Sequence, residues 1–325
     1  MEYTASLNVA IIGSGKLGTD LLIKTLRSPY LNCVLFVGRN HDSEGLVRAR
    51  SLGVPTSDDS IDAIINYKGV IHLVFDVTSA EYHIRHADVF ERLGIKAIDL
   101  TPAKVGPLCV PSINQDIIFT EDNINLITCG GQASLPIVHR LSEIITDISK
   151  IEVNSFLAED SVGPGTLANI DEYYSTTKSA IREYTGVQDV EVQLNLESSE
   201  WKPDMLTYIR AYTGKTDLRS VYEPLRLRLL EVQKHVPGYQ IVGTPKIENG
   251  IIDITVSVRG NGDWLPAHAG NLDIINCAAL ALAEHYAEGM GVHSWEEKKQ
   301  HSGGSLPVGD FMSTLTGANK LLERA

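Results

Sequence analysis

The sequence has few cysteines, few aromatic residues and no long apolar run. Its 4 cysteines are scattered over 325 residues and form no Cys-x-x-Cys pair, which argues against a zinc cluster, another metal site of that kind or a disulfide framework. No segment approaches the roughly 20 apolar residues that a membrane-spanning helix needs. The first residues, 1–7, lack a basic region followed by an apolar stretch, so no secretory signal is expected. We therefore expect a cytoplasmic protein with free thiols and no membrane partner.

Basic side chains are also scarce. There are 28 Lys and Arg residues against 41 Asp and Glu residues, which gives a formal net charge of -13. Because nucleic-acid binding needs a cationic footprint, this balance argues against a nucleic acid as partner. The 43% of hydrophobic residues is ordinary for a globular protein, and the length suggests about two domains.

The first part of the chain alternates short apolar runs with helical patterns. The predicted strands are 7–12, 33–37, 70–75, 96–100 and 125–128, and the predicted helices are 17–26, 45–52 and 80–93. Strand–helix alternation of this kind predicts an α/β fold, a doubly wound parallel sheet of the Rossmann type with right-handed crossovers. We assign this dinucleotide-binding domain to residues 1–130.

Residues 131–268 follow a different pattern and predict an α+β domain. Predicted strands at 151–157, 190–194, 205–212 and 252–258 accompany predicted helices at 134–145, 168–184 and 217–234. The last of these strands alternates strictly, which is typical of a half-buried antiparallel strand. Residues 269–325 form a third segment, with an Ala- and Leu-rich helix at 271–286 that we expect to pack back on the first domain, and a tail with a short helix near 311–324.

A glycine motif connects the first predicted strand to the first predicted helix. It reads Gly13, Ser14, Gly15, Lys16, Leu17, Gly18, which fits G-x-G-x-x-G. The first glycine permits the tight turn, the second lets a pyrophosphate approach the backbone, and the third allows close helix–strand packing. The motif indicates a dinucleotide cofactor. The alternative is a glycine-rich turn without a ligand.

The end of the second predicted strand bears on the choice between NAD and NADP. An acidic residue usually stands there to bind the adenosine ribose of NAD, but this chain has Arg39, and the nearest acids are Asp42 and Glu44. An arginine can pair with a 2′-phosphate or stack on adenine. This favours NADP or the use of both cofactors. A solvent-exposed Arg39 in an NAD-binding protein remains the alternative.

Cys129 is the candidate nucleophile. It stands between an apolar run and a predicted helix, in Thr128-Cys129-Gly130-Gly131. A helix N-terminus favours the thiolate and lowers the pKa of a cysteine there, and the glycines leave room for a substrate carbonyl and for backbone donors to an oxyanion. The alternative is a buried structural cysteine. Cys109 is a weaker rival, and the remaining two cysteines are expected in the core.

Two histidines accompany an acidic residue on the predicted helix 80–93. Glu81, His83 and His86 have a spacing that fits a solvated helix face better than a metal site. We expect no metal.

Several separated blocks resemble the acylating acetaldehyde dehydrogenases, the CoA-dependent enzymes that commonly pair with a 4-hydroxy-2-oxovalerate aldolase. The similarity covers about residues 8–286. The blocks are VAIIGSGKLGTD (9–20), DLTPAKVGP (99–107), TCGGQASLPIV (128–138), GPGTLANIDE (163–172), VPGY (236–239) and GDWLPAHAGNLD (262–273). The resemblance implies a Rossmann domain followed by a catalytic and dimerisation domain, in a homodimer.

The resemblance also implies roles for individual residues. Cys129 matches the acyl-thioester nucleophile, and Asp204 is the candidate for the aspartate that assists it. Asn169 and Ile170 match the pair that lines the nicotinamide and substrate pocket, and Asn271 matches a further cofactor contact. A second cofactor-contacting loop corresponds to Ser161, Val162, Gly163, Pro164, Gly165, Thr166, Leu167, Ala168 and Asn169.

The activity implied is the interconversion of a short-chain aldehyde and CoA with an acyl-CoA, using NAD or NADP. Three alternatives stay open. The chain has Leu167 and Glu159–Ser161 where the family usually has cations, so the acyl group could be carried by a pantetheine arm on an acyl carrier protein. A semialdehyde or acyl-phosphate reductase would share the two-domain plan. A non-catalytic NAD(P)-binding regulatory protein would keep the glycine motif but have an unreactive Cys129.

Overall fold

The computed structural model describes residues 6–163, 170–198, 202–214 and 219–292. The strands in these ranges are β1 (Leu7–Ile12), β2 (Leu31–Val37), β3 (Thr56–Ser57), β4 (Leu73–Asp76), β5 (Lys96–Asp99), β6 (Asn123–Asn125), β7 (Lys150–Ala158), β8 (Asp189–Glu197), β9 (Met205–Tyr212), β10 (Tyr239–Glu248) and β11 (Ile251–Val258). The α-helices are α1 (Lys16–Arg27), α2 (Glu44–Ser51), α3 (Ile61–Ile65), α4 (Ala80–Leu93), α5 (Pro111–Asn114), α6 (Cys129–Ile144), α7 (Ile170–Thr185), α8 (Arg219–Gln233) and α9 (Gly270–Gly289). The helix expected near 311–324 lies outside the described residues.

The first sheet has six parallel strands in the order β3-β2-β1-β4-β5-β6. The order reverses between β1 and β4, so the loops after these two strands diverge and leave a crevice at their carboxyl ends. The backbone N–H of Val77, just after β4, donates to Ile12 O at the end of β1. This is the predicted Rossmann-type α/β arrangement, and the glycine motif lies at the crevice.

The second sheet is mixed and has the order β10-β11-β9-β7-β8. Only β7 and β8 run parallel, and the other neighbours are antiparallel. The burial of alternate residues along β7, from Ile151 to Leu157, shows that one face of the sheet is covered, and its apolar side chains form one core with α6, α7 and α8. The mixed sheet with helices on one face confirms the predicted α+β character.

Helix α9 contributes side chains to the cores around both sheets. Ile274 and Ile275 belong to the core of the second sheet, while Ala279, Leu282 and Ala283 pack among residues of the first sheet and α1. Helix α9 therefore packs against residues of both sheets. None of the helices in the described ranges is both long enough and apolar enough to cross a membrane.

Two elements differ from the sequence predictions near the candidate nucleophile. The strand expected at 125–128 ends at Asn125, because Ile127 has a positive φ of 66°, which no strand accommodates. The helix expected from 134 begins at Cys129, because Thr128 caps it there and accepts the N–H of Gly131. β10 has no counterpart among the predicted strands, because most of its side chains are exposed and its apolar residues do not alternate.

Candidate active site

The glycine loop depends on glycine at its ends and is open in its middle. Gly13 has a φ of 122°, which residues with a side chain rarely adopt. A Cβ at Gly18 would lie 1.9 Å from Gly13 O, so α1 could not approach the loop as closely with any larger residue. A Cβ at Gly15 would meet nothing within 4 Å. The loop therefore leaves open space over Gly15, where a ligand can approach the backbone.

Helix α1 begins at this open space without a side-chain cap. Its N-cap residue is Gly15, and no side chain accepts a hydrogen bond from the N–H groups of the first turn. Uncapped N–H groups and the positive end of the helix dipole bind anions such as a pyrophosphate. Lys16 is exposed beside them, and Leu17 is partly buried and points toward the second half of the site.

Arg39 lies at one end of the loop, over an aromatic ring. Its guanidinium carbon is 4.8 Å from the centre of the Tyr82 ring. Both residues line a cavity of about 430 Å³ together with the glycine loop and Ser60. Among the described residues lining this cavity there is no carboxylate, so a phosphate there would meet a cation and no opposing charge.

Three cavities follow one another from Arg39 to Cys129. The cavity at Arg39 shares Gly15 and Thr78 with a second one of about 440 Å³. The second shares Leu17 and Val162 with a third, of about 90 Å³, which Cys129 lines. The glycine loop and the thiol thus share one groove. Gly18 and Cys129 are 111 positions apart in the chain.

A buried polar network lies behind this groove. Asp76 Oδ2 is 2.9 Å from His83 Nδ1 and 2.8 Å from His86 Nδ1. Burial raises the pKa of Asp76, but the hydrogen bonds from the two histidines outweigh this effect and hold the pKa at about 2. Burial raises the pKa of neighbouring Asp99 to about 6. Asp76 Oδ1 also accepts the N–H of Thr78, at the middle cavity.

The expectation that His83 and His86 lie on a solvated face is therefore wrong. They are 0% and 3% exposed, because α4 turns that face toward the carboxyl ends of β4 and β5. The described ranges contain no cluster of three or more His, Cys, Asp or Glu side chains able to hold a metal ion.

Backbone geometry aims Cys129 at the groove. Ile127 has a left-handed conformation, and its N–H donates to Asn125 Oδ1 at 2.8 Å. Thr128 then caps α6, since its Oγ1 accepts the N–H of Gly131 at 2.9 Å. A β-branched residue in this conformation is strained and is maintained only by its surroundings. Cys129 follows as the first helical residue, partly exposed in the third cavity.

The pKa of the Cys129 thiol is raised rather than lowered. Burial raises it to about 11, and this outweighs the lowering by the N–H groups of Gly130 and of Cys129 itself and by the Tyr173 hydroxyl. The predicted position at a helix N-terminus is correct, but the predicted low pKa is wrong, because little water reaches a thiol in so small a cavity. The remaining cysteines, Cys33, Cys109 and Cys277, are buried.

The start of the second predicted cofactor loop lies beside the thiol. Ser161 O accepts a hydrogen bond from Asn271 Nδ2 at 3.0 Å, and Val162 and Gly163 line both the middle and the thiol cavities. Asn271 Oδ1 is buried and has no partner among the described residues. Ile170 is the first residue of α7 and is partly buried in the core there. The rest of the predicted loop, Pro164, Gly165, Thr166, Leu167, Ala168 and Asn169, lies outside the described residues.

Asp204 stands apart from the thiol cavity. It precedes β9, and its two carboxylate oxygens lie 3.0 and 3.2 Å from Arg259 Nη1. It does not line any of the three cavities along the groove. Its proposed part in catalysis rests on the resemblance alone.

Tyr173, which lines the thiol cavity from α7, is not among the residues predicted from the sequence. A signal was present: Tyr173, Thr177 and Ala180 belong to a buried stripe at helical spacing. Periodicity shows that such a residue is buried, but it does not show that its hydroxyl faces Cys129.

Comparison with known proteins decides the family. The family model described as prokaryotic acetaldehyde dehydrogenase, dimerisation, matches residues 129–266. The acetaldehyde dehydrogenase of Spirochaeta aurantia is 48% identical over 282 residues, which are 87% of this chain and 95% of that protein. That of Pectobacterium atrosepticum is 45% identical over 86% of this chain and 95% of its own length. The chain belongs to the acetaldehyde dehydrogenase family.

Membership in the acetaldehyde dehydrogenase family confirms the resemblance drawn from the sequence blocks. It supports an oxidoreductase with aldehyde dehydrogenase activity and a nicotinamide cofactor. Among solved structures, aspartate semialdehyde dehydrogenase II from Vibrio cholerae has a TM-score of 0.59 and 14% identity, and the alignment covers 89% of this chain and all of that one. At that identity the likeness concerns the fold, and it agrees with the predicted α/β class.

Proposed function

We propose that this protein is an acylating aldehyde dehydrogenase, which interconverts a short-chain aldehyde and CoA with an acyl-CoA through a thioester on Cys129. The main support is the groove: in a chain of this family, it connects a dinucleotide-type glycine loop with a single cysteine. The other cysteines are buried outside the groove-lining residues, so they are poorly placed to meet a substrate.

The residues along the groove fit a nicotinamide dinucleotide. The uncapped start of α1 suits the pyrophosphate, and Arg39 suits a 2′-phosphate or the face of the adenine. Near the thiol, the unpartnered Asn271 Oδ1 can accept an N–H from a carboxamide. When bound, the nicotinamide supplies the hydride acceptor or donor of the reaction. We propose NADP or both cofactors, because no acid takes the ribose position.

Cys129 does the covalent chemistry in this proposal. Its thiolate sulfur forms a bond to the aldehyde carbon, which gives a thiohemiacetal with a negatively charged oxygen. The Gly130 N–H, which faces the sulfur, is proposed to donate to this oxygen, whereas the Gly131 N–H already donates to Thr128 Oγ1. After loss of the hydride, Cys129 holds an acyl thioester. A CoA or pantetheine thiol then attacks the acyl carbon, and the bond to Cys129 breaks to regenerate the thiolate.

Asp204 is proposed to take the proton of the incoming thiol. The carboxylate is partly exposed, and its Oδ1 lies 3.0 Å from Arg259 Nη1. Because Asp204 lines none of the three cavities along the groove, we assign it to the acyl acceptor rather than to Cys129. Asn169 and Ile170 are proposed to line the substrate pocket, on the resemblance.

The deciding experiment follows the acyl group. We expect the wild-type protein exposed to acetyl-CoA to carry an acetyl adduct on the peptide of Cys129, as detected by mass spectrometry. Cys129→Ala should abolish turnover and the adduct while leaving cofactor binding nearly intact, because the thiol lies at the far end of the groove. Cys33→Ala, a change of the same kind at a buried cysteine, should keep both.

A steady-state assay of the wild-type protein distinguishes the proposed function from the three alternatives. Acyl-CoAs and carrier-bound acyl groups are offered in parallel, with NADH and NADPH. Preference for carrier-bound esters would favour the biosynthetic reductase, and a requirement for phosphate would favour an acyl-phosphate reductase. Absence of any adduct on Cys129 together with tight cofactor binding would contradict the proposal and favour a regulatory protein.

We infer further that two copies of the chain associate through the second sheet. The matching family model is described by its dimerisation, and residues 129–266 contain all five strands of this sheet. The outer face carries both signs of charge, with Arg210 and Asp253 paired at 2.8 Å. Light scattering should give the mass of a dimer, and a monomeric mass would contradict this inference.

A further inference from the structure

Tyr173 has a buried hydroxyl at the candidate nucleophile. The residue lies in the first turn of α7 and is 4% exposed. Its oxygen packs against the start of α6, since a Cβ at Gly130 would lie only 2.0 Å from Tyr173 Oη. In the part of the chain that the structure describes, this Oη has no hydrogen-bond partner of ordinary geometry. Burying an unpaired hydroxyl costs stability, so its position calls for a reason.

The neighbouring hydroxyl groups already have partners of their own. Ser155 Oγ lies 3.1 Å from Thr207 Oγ1 and also faces the Tyr173 hydroxyl, and Thr128 Oγ1 lies 2.7 Å from Thr177 Oγ1. Cys129, by contrast, lines the same small cavity as Tyr173. A phenol that is poorly paired while the cysteine is a neutral thiol gains a strong acceptor when the sulfur is ionised, since hydrogen bonds to charged groups are the stronger ones.

The surroundings of Cys129 provide no cation for a thiolate. Among the described residues that line the thiol cavity, none carries a charge, and only Cys129 and Tyr173 are titratable. The dipoles that face the sulfur are the N–H groups of Cys129 and Gly130 and the Tyr173 hydroxyl. Burial raises the pKa of Tyr173 well above its usual range, so the phenol stays protonated and acts as a donor, not as a base.

We propose that the Tyr173 hydroxyl donates a hydrogen bond to the thiolate of Cys129 and thereby stabilises the ionised nucleophile. Tyr173 is then a further catalytic residue, because it touches the reacting sulfur. The inference rests on the proposed function only in that this sulfur is taken as the nucleophile. The proton that leaves the thiol goes to water or to a base, and Tyr173 keeps its own.

Tyr173→Phe tests the proposal, because it removes one oxygen and keeps the ring. The readout is the rate of alkylation of Cys129 by iodoacetamide as a function of pH, in which the thiolate sulfur forms a bond to carbon and iodide leaves. Below the pKa the rate is proportional to the thiolate fraction. Loss of one hydrogen bond to a charged group should therefore slow alkylation by about tenfold at a given pH, a pKa rise of about one unit.

Tyr174→Phe is the matched control. Tyr174 is the next residue on α7, and its ring meets the Tyr173 ring edge-on at 5.9 Å. It does not line the thiol cavity, so this variant should retain the wild-type alkylation profile. If the profiles of Tyr173→Phe and wild type coincide, the proposal is wrong. A merely structural role for Tyr173 would change the unfolding midpoint without displacing the alkylation profile.

A second measurement places the hydroxyl independently of any chemistry. Gly130→Ala should lower the melting temperature of the wild type strongly, because the new Cβ meets Tyr173 Oη. In the Tyr173→Phe background the same change should cost less, since the next contact is the ring carbon Cζ at 3.1 Å. Equal losses in both backgrounds would mean that the oxygen does not lie where the structure has it, and would overturn the proposal.

These outcomes are separate from the fate of the proposed function. Alkylation and melting need neither aldehyde, CoA nor cofactor, so they report on Tyr173 even if no turnover is found. Conversely, an acyl adduct on Cys129 with an unchanged alkylation profile in Tyr173→Phe would support the function and reject the role of Tyr173.

Discussion

Removal of Lys24 should destabilise the protein strongly, and the loss should depend on pH. Lys24 lies on α1 and is 4% exposed. Its Nζ is 2.5 Å from Asp263 Oδ2, 2.7 Å from Asp273 Oδ1 and 3.4 Å from Asp20 Oδ2. One cation therefore pairs with carboxylates from α1, α9 and the segment before α9. In Lys24→Met, an apolar chain of similar length and helix propensity replaces it.

The expected loss of unfolding free energy in Lys24→Met follows from the burial of the Lys24 side chain. Breaking a buried ion pair by removing one partner costs about 3–5 kcal/mol, because the remaining charge stays buried without compensation. Arg27→Met is the matched control on the same helix. Arg27 also pairs with Asp263, but its side chain is 61% exposed, and exposed pairs contribute about 1 kcal/mol or less.

The sign of the pH dependence follows from Asp263. Burial raises the pKa of its carboxyl, but the hydrogen bonds from Lys24 and Arg27 outweigh this and lower it overall. A carboxyl with a lowered folded-state pKa stabilises the protein above its unfolded pKa of about 4, and this contribution disappears as the pH falls through the folded value. Without Lys24 that pKa rises, so the destabilisation should be largest at neutral pH and smaller near about pH 5.

Urea unfolding of wild type, Lys24→Met and Arg27→Met at the two pH values measures these free energies. A loss in Lys24→Met at neutral pH no larger than that in Arg27→Met would contradict the role given to the buried ion pairs. A loss that grows on acidification would contradict it equally.

Two further predictions concern the glycine loop and Arg39. Gly18→Ala should lower the free energy of unfolding, because its Cβ would lie 1.9 Å from Gly13 O, whereas Gly15→Ala should leave unfolding unchanged and weaken cofactor binding, because its Cβ occupies open space. Urea unfolding measures the first effect, and cofactor titration followed by fluorescence measures the second. Equal losses of unfolding free energy in the two variants would contradict the assignment. Arg39→Ser should weaken NADPH binding by about tenfold or more and NADH binding much less, since the lost charge-assisted hydrogen bonds reach only a 2′-phosphate. Equal losses of affinity for NADPH and NADH in parallel titrations would argue against a 2′-phosphate contact at Arg39.

Much of the site was predictable because it is encoded over short distances in the chain. The glycine loop needs only a strand, three glycines and a helix within 21 residues, 7–27, and local sterics determine its shape. The start of α6 is similarly local, since Thr128 caps it and small residues follow. Apolar periodicity identified most of the strands and helices, and edge or short elements such as β3 and β10 escaped because few of their residues are buried.

The electrostatics of the site were not predictable, because they depend on residues distant in the chain. The pKa of Cys129 was expected to be low from its helix position, but packing of α7 and α9 around the thiol excludes water and reverses the direction. The same holds for His83 and His86, which local spacing assigned to solvent and which tertiary packing buries on Asp76.

The sequence by itself determined the fold class, the glycine loop and the identity of the candidate nucleophile, since backbone sterics and apolar periodicity act between near neighbours. Only the tertiary structure decided that Cys129 shares a groove with that loop, that its thiol is poorly hydrated, and that Tyr173 faces it. Solvation and charge depend on everything within a few ångströms, and in a folded chain those neighbours come from every part of the sequence.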